Sequence, residues 1–114
     1  MPDCLFCKIA AKQIPSTIVY EDENLLAFRD ISPAAPSHVL IIPKKHVAAI
    51  MDVSGDDAIW WKELPAVIQK IAKKEKVDAT GFRLALNNGA DAGQAVAHLH
   101  FHLLGGRKMA WPPG

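Results

Sequence analysis

The chain has 114 residues, and its 13 basic and 12 acidic side chains leave a formal net charge of +1. This length is typical of one domain with a small core, so residues 1–114 are assigned to a single domain. The balanced charge argues against a dedicated binder of nucleic acid or acidic membrane, although a single nucleotide needs only a local site. We expect a cytoplasmic protein, because no apolar run reaches the roughly 20 residues of a membrane span and no secretory signal is visible.

The first part of the chain predicts one short helix and three strands. Residues 4–14 carry apolar side chains at helical spacing, and Pro15 ends this predicted helix. Residues 17–20 and 25–29 are predicted to pair as a hairpin with a tight turn between them. A third strand is predicted over 38–42, after a segment whose prolines exclude regular structure.

The second part predicts a long helix and two further strands. Ser54 and Asp57 form a capping-box pattern ahead of an apolar helical stripe with lysines on the opposite face. Pro65 predicts a kink or a split into two helices, and Gly81 marks the end of the helical region. A fourth strand is predicted over 82–86. Hairpins without regular β-α-β alternation indicate an α+β fold, with a five-stranded, largely antiparallel sheet and two main helices.

Three of the five histidines, His98, His100 and His102, alternate along the apolar run 96–104. This alternation predicts a strand with all three rings on one face of the sheet. Four interpretations are open: ordinary sheet residues, a metal site with His38 as a further ligand, nucleophilic catalysis at phosphorus, or a nucleotide-binding module without turnover.

Nucleophilic catalysis would use the glycine-bearing loop 87–93, whose backbone N–H groups can bind a phosphate. Asn87 and Gln94 add neutral donors. A neutral imidazole is a competent nucleophile near pH 7 when an acceptor holds the N–H of its second nitrogen. A flanking histidine that stays protonated would stabilise charge on the phosphoryl oxygens.

The chain contains two cysteines in the spacing Cys4-x-x-Cys7. A reducing cytosol makes a structural disulfide improbable, which leaves a metal site or a redox pair as the active alternatives to two idle thiols.

The segment 93–106 resembles the His-x-His-x-His signature of the histidine-triad (HIT) family. Segments 4–9, 27–33, 38–46 and 111–114 also resemble that family, so the resemblance covers nearly the whole chain. The terminal Trp-Pro-Pro-Gly is similar to the Hint branch, the purine nucleoside phosphoramidases. The resemblance implies a HIT-like fold whose sheets join across a homodimer, and a purine nucleoside monophosphate ligand of the AMP or GMP class. It also implies hydrolysis of the P–N bond of nucleoside 5′-phosphoramidates, with no cofactor required for catalysis.

The resemblance also implies roles for individual residues. His100 matches the nucleophile that forms a nucleotidyl-histidine intermediate, and His102 matches the residue at the phosphate and leaving group. His98 and His38 match supporting histidines. Asp30 matches the ribose-binding carboxylate, with Ile31 beside it. The remaining matches are the apolar cleft for the base (Leu5, Phe6, Ile9, Ile14, Phe28), the phosphate cradle (Asn87, Gly93, Gln94, Ala95) and a tail residue directed toward the partner's active site (Trp111).

Two points qualify the match. Many Hint relatives carry serine where this chain has Ala95, so one hydrogen bond to the leaving group is expected to be missing. Some bacterial-type relatives hold a structural zinc through residues that correspond to Cys4, Cys7, His46 and His98; the alternative is two reduced thiols without a ligand. The functional alternatives are a dinucleoside polyphosphate hydrolase or nucleotidyl transferase of the same family, and a non-catalytic nucleotide-binding regulator.

Overall fold

The computed structural model describes residues 3–114. Within that range, the strands β1 (Ile18–Glu21), β2 (Leu25–Arg29), β3 (Ser37–Pro43), β4 (Phe82–Leu86) and β5 (Phe101–Gly105) form one sheet. Their spatial order is β1-β2-β3-β5-β4, and every paired neighbour is antiparallel. Two α-helices, α1 (Leu5–Ala10) and α2 (Ala58–Lys74), pack on opposite faces of this sheet. The structure confirms the predicted α+β class.

Helix α2 covers one face of the sheet with a buried stripe formed by Trp60, Leu64, Val67, Ile71 and Ala72. The predicted capping box is present, because the N–H of Ser54 donates to Asp57 Oδ2 at 2.9 Å and Ser54 Oγ accepts from Asp56. It closes a 3-10 turn, Gly55–Asp57, that leads directly into the helix.

The predicted split at Pro65 is wrong, since α2 continues through it as one helix of 17 residues. A proline inside a helix leaves the carbonyl four residues earlier without its partner. Here that carbonyl belongs to Trp61, and both residues lie on the exposed side of α2, where solvent can bond to it.

Both helices end earlier than predicted, and for the same reason. Lys12 has φ 62° and Lys76 has φ 61°, so each lysine occupies a left-handed position that usually takes glycine. After α1, Gln13 N–H donates to Lys8 O at 2.9 Å and Lys12 N–H to Ile9 O at 3.0 Å, which is the bond pair of a Schellman motif. The equivalent bonds end α2. Helix α1 therefore ends at Ala10, well before Pro15.

Helix α1 lies on the other face, over a smaller apolar cluster built from Phe6, Ile9, Leu26, Phe28, Leu40 and Ile42. The histidine row, formed by His98, His100 and His102, lies on this same face. None of the helices in residues 3–114 is long and apolar enough to cross a bilayer.

Candidate active site

The alternation of the histidine row is confirmed. Leu99, Phe101 and Leu103 are buried beneath α2, whereas the rings of His98 and His100 pack against Phe6 on the opposite face. Regular strand pairing begins only at Phe101, so the predicted strand over 96–104 was too long. His98 and His100 lie in the segment just before β5.

His100 is held in one orientation by its own chain. Its Nδ1 lies 2.8 Å from the carbonyl oxygen of His98, and a carbonyl can only accept, so Nδ1 carries the proton. The lone pair is therefore on Nε2. The ring is buried, with 7% of its surface exposed, and its edge contact with Phe6 has a centroid distance of 5.1 Å.

A hydrogen-bonded chain also fixes the proton positions of His38 and His102. The N–H of Ala34 donates to His38 Nδ1 at 3.0 Å, so the proton of neutral His38 is on Nε2. That Nε2 lies 2.9 Å from Nδ1 of His102 and donates to it. Neutral His102 therefore carries its own proton on Nε2.

Burial, followed by the neighbouring His100 and His38, lowers the pKa of His102 to about 4, against a smaller opposing effect of Asp30. The pKa of His38 is also lowered, again chiefly by burial. A pKa of about 4 leaves His102 neutral at pH 7, which argues against His102 as the flanking histidine that stays protonated.

Asp30 follows β2 and lies next to His38. Its Oδ2 is 3.6 Å from His38 Nε2, and its Oδ1 accepts from the N–H of Ser32 at 2.8 Å. This second bond fixes the carboxylate at the start of the loop that connects β2 to β3.

A cavity of about 310 Å³ opens between α1, the end of β2 and the histidine row. It brings together ten of the residues singled out in the sequence: Leu5, Phe6, Ile9, Ile14, Phe28, Asp30, Ile31, Ala95, His100 and His102. One wall is aromatic, since Phe6 and Phe28 meet edge-to-face at 5.4 Å between centroids. Ile31 lies at the rim and is 98% exposed. The cavity thus combines an aromatic wall with imidazole and carboxylate side chains.

Other predicted site residues do not line this cavity. Gln94 braces the preceding loop, because its Nε2 donates to the carbonyls of Ala48 and Val96 and its Oε1 accepts from Gly89. Gly93 closes the same loop at a positive φ of 80°, and Asn87 follows β4, half-buried. Trp111 is 80% exposed on the tail, where its ring lies against the guanidinium of Arg83.

The two cysteines and two histidines proposed as zinc ligands converge beside α1. Cys4 Sγ lies 3.3 Å from His98 Nδ1, and Cys7 Sγ lies 3.5 Å from that atom and 3.2 Å from His46 Nδ1. Two thiolates and two imidazoles are a donor set that structural zinc uses, and tetrahedral bonds would separate a sulfur from a nitrogen by about 3.6 Å. The residues therefore fit zinc.

The proton positions support the same assignment. His98 Nε2 donates to the carbonyl of Pro43 at 2.8 Å, which leaves the Nδ1 lone pair facing the thiols. Burial lowers the pKa of His98 and keeps it in the neutral form that ligates metals. Burial and the adjacent Cys4 raise the pKa of the Cys7 thiol, a shift that a bound cation would oppose.

Asp30, His38 and His102 form a second cluster of ligand-type side chains within residues 3–114. It is a poor metal site, because the Ala34 N–H holds the lone pair of His38 Nδ1 and thereby keeps a proton on the Nε2 atom that faces the cluster.

A model of the HIT domain matches residues 11–109 of the chain. The chain belongs to the HIT family. This HIT protein is similar to the crystal structure of a HIT family hydrolase from Legionella pneumophila Philadelphia 1, with 54% identity and a TM-score of 0.94, over 98% of this chain and 100% of that one. It is also 44% identical over 121 residues to a 14 kDa zinc-binding protein of Brassica juncea, which covers 98% of this chain and 100% of that protein.

A more distant solved structure is a histidine triad nucleotide-binding protein from Candida albicans. It shares 36% identity and a TM-score of 0.83 with this HIT protein, over 96% of this chain and 83% of that one. These likenesses confirm the family that the sequence motifs indicated.

In this HIT protein the cavity also has walls that sequence reasoning missed. Leu40 and Val96 line it, together with Pro15, Ser16 and Arg29. Leu40 was within reach of the sequence, because it lies two residues after His38 on a strand and so shares its face. Val96 was not, since it lies in an irregular segment whose path only the fold determines.

Proposed function

We propose that this HIT protein hydrolyses the P–N bond of purine nucleoside 5′-phosphoramidates through a nucleotidyl-His100 intermediate. The observation that carries the proposal is the hydrogen bond from His100 Nδ1 to the carbonyl of His98 at 2.8 Å. It leaves the lone pair on Nε2 of a ring that lines the cavity, as an imidazole nucleophile requires.

The substrate fits the cavity by its chemistry. The purine packs against the apolar side chains of Phe6, Ile9 and Phe28, and Asp30 accepts hydrogen bonds from the ribose hydroxyls. The phosphoryl group then lies beside His100 and His102.

In the first step, His100 Nε2 attacks phosphorus, a new N–P bond forms, and the P–N bond to the amine breaks. The imidazole becomes cationic, and the carbonyl of His98 stabilises that charge through Nδ1–H. Neutral His102 donates a hydrogen bond from Nε2 to the amine nitrogen as that nitrogen departs, and the amine takes its proton from solvent.

In the second step, water attacks phosphorus and the bond to His100 Nε2 breaks. The attacking water gives its proton to solvent, which balances the proton that the amine took up, and His102 Nε2–H donates to a phosphoryl oxygen. The sum is one water consumed for one amine and one monophosphate released.

A structural zinc would be held by Cys4, Cys7, His46 and His98, which fit it as a donor set. It would supply a cross-link between α1 and the sheet, and the name of the Brassica juncea relative supports the assignment. The thiols of Cys4 and Cys7 position the wall that carries Phe6, and the ring of His98 positions the carbonyl that orients His100.

We also propose a homodimer formed through the β4 edge. The other edge, β1, is blocked by Lys74 Nζ, which donates to the carbonyl of Val19 at 2.7 Å, and by an irregular register between Ile18 and Tyr20. On β4, Phe82 is 38% and Leu84 43% exposed, an apolar edge of the kind that pairs with another strand. Such a pairing joins two sheets and brings each tail, with Trp111, near the partner subunit.

Turnover of a fluorogenic adenosine phosphoramidate, with and without chelator, tests the activity. We expect turnover that a brief chelator treatment leaves unchanged, and its loss in His100→Asn while AMP affinity by calorimetry stays within about threefold. Diadenosine polyphosphates, offered in parallel, distinguish the alternative hydrolase. A fully active His100→Asn protein would contradict the nucleophile assignment, and AMP binding without turnover of either substrate would indicate a regulator.

A further inference from the structure

Arg107 connects the C-terminal segment to the loop that precedes β3. Its Nε and Nη2 donate to the carbonyl oxygen of Ala34 at 3.1 and 3.0 Å, and its Nη1 donates to the carbonyl of Lys108. The adjacent Gly106 lies directly on this loop, since a Cβ at that position would come within 2.9 Å of Pro36. Arg107 is exposed and touches neither the cavity nor the histidines.

Ala34, which accepts from Arg107, also fixes the proton position of His38. Ala34 accepts from Arg107 through its carbonyl and donates its N–H to His38 Nδ1 at 3.0 Å. His38 Nε2 then donates to His102 Nδ1 at 2.9 Å. A continuous path of hydrogen bonds therefore runs from a surface guanidinium to the ring at the leaving group.

We propose that Arg107 is a positioning residue that fixes the tautomer of His102 through Ala34 and His38. This inference rests on the proposed function, because it assigns to His102 Nε2 the hydrogen bond that the departing amine receives. Arg107 acts at a distance and forms no contact with substrate.

The second tautomer of His38 explains why the hydrogen bonds from Arg107 to Ala34 matter. If Ala34 moves away, the proton of His38 is free to shift to Nδ1, and the lone pair of Nε2 then faces His102 Nδ1. Two lone pairs at 2.9 Å repel, so His102 is driven to carry its proton on Nδ1. The Nε2 that faces the cavity then has no hydrogen to donate. Asp30, 3.6 Å from His38 Nε2, also favours the productive tautomer, so the effect is a partial loss.

The test compares Arg107→Gln, which keeps length but loses the forked cationic donor, with Arg107→Lys, which keeps one cationic donor. Lys12→Gln removes an exposed positive charge far from His38 and is the matched control. Nitrogen-15 NMR of the histidine rings reports the tautomers, and steady-state kinetics separate kcat from KM.

We expect Arg107→Gln to populate the second tautomer of His38 and to lower kcat about tenfold, the lower end of the losses seen when a partner that orients a metal-ligating histidine is removed. KM and AMP affinity should stay within about twofold, Arg107→Lys should recover most of kcat, and Lys12→Gln should match the unmodified protein. Unchanged ring tautomers in a folded Arg107→Gln protein would overturn the proposal.

A double-mutant cycle separates this path from a general structural effect. In a His38→Ala background, Arg107→Gln should change kcat by less than about twofold, because the connecting ring is already absent. The same tenfold loss in that background would also overturn the proposal. If the unmodified protein fails to cleave phosphoramidates, the proposed function fails, whereas the NMR comparison still decides the tautomer effect.

Discussion

The carbonyl oxygen of His98 accepts the Nδ1 proton of His100 at 2.8 Å, while the ring of His98 faces the thiols of Cys4 and Cys7. His98 thus belongs through its side chain to the thiol cluster (Cys4, Cys7, His46 and His98) and through its backbone to the histidine row. The state of this cluster and the orientation of the ring of His100, the proposed nucleophile, are therefore mechanically linked.

The thiol cluster predicts about one zinc per chain in protein purified without chelator. Cys4→Ser should lose the metal and lower Tm by more than about 4 °C, since bound metal adds to folding free energy. The serine hydroxyl can still cap α1, as Cys4 Sγ does by accepting from Cys7 N–H, so the change isolates the metal from the cap. Cys4→Ala removes both and should be less stable still. A zinc content below about 0.2 per chain in the unmodified protein would refute the assignment.

Replacing Ala95 by serine should raise kcat/KM for substrates whose leaving amine can form a hydrogen bond. Ala95 lines the cavity that carries His100 and His102, and also a neighbouring cavity of about 390 Å³ beside Cys4 and His46. Ala95→Ser adds a hydroxyl at this junction, and one neutral hydrogen bond to the leaving group is worth about two- to tenfold in kcat/KM. A series of phosphoramidates with different amines measures this effect, with AMP affinity as the reference. Equal changes for every amine, including those without a hydrogen-bonding group, would argue against a leaving-group contact.

The low pKa of His102 predicts the pH dependence of stability. Its folded value of about 4 lies below the unfolded value of about 6.5, so the unfolded chain binds more protons between them. Stability present at neutral pH is therefore lost as pH falls from about 6.5 to about 4, and the lowered pKa of His38 acts in the same direction.

Urea unfolding at a series of pH values measures this slope. His102→Asn should flatten it, because asparagine offers an acceptor to His38 but does not titrate. Parallel slopes for the two proteins between pH 4 and 6.5 would show that His102 is not the source.

The two sheet edges offer a matched test of the dimer. Leu84→Lys on β4 and Ile18→Lys on β1 both place a charge at an apolar edge residue of similar exposure, 43% and 40%. Light scattering after size-exclusion chromatography should show a monomer for the first and an unchanged dimer for the second. A dimer that survives Leu84→Lys but not Ile18→Lys would show that the interface lies at the β1 edge and that the proposed assignment is wrong.

Strands β2 and β4 could be predicted from the sequence with both ends correct, because turn residues bound each apolar run. The helix ends could not. Lys12 and Lys76 adopt a backbone conformation that sequence rules reserve for glycine or asparagine, and only the surrounding bonds compensate for it.

The candidate site also has features that the sequence predicts and features that it does not. The alternating histidines and the facing of Leu99 and Phe101 follow from strand periodicity. The bond from Ala34 to His38 does not, because it depends on the path of a proline-rich loop that has no periodic pattern. Gln94 shows the converse: its residue type suggests a phosphate donor, but both of its N–H groups are bound to backbone carbonyls of the protein.

Helix α1 spans six residues, fewer than the roughly 12–15 that keep an isolated helix stable in water. Phe6 is therefore mounted on a segment that can open without unfolding of the five-stranded sheet beneath it. Amide hydrogen exchange in 5–10 should then be faster than in β3, and occupation of the cleft should slow it. Opening of α1 would then let the base of the proposed nucleotide ligand enter and leave the cavity.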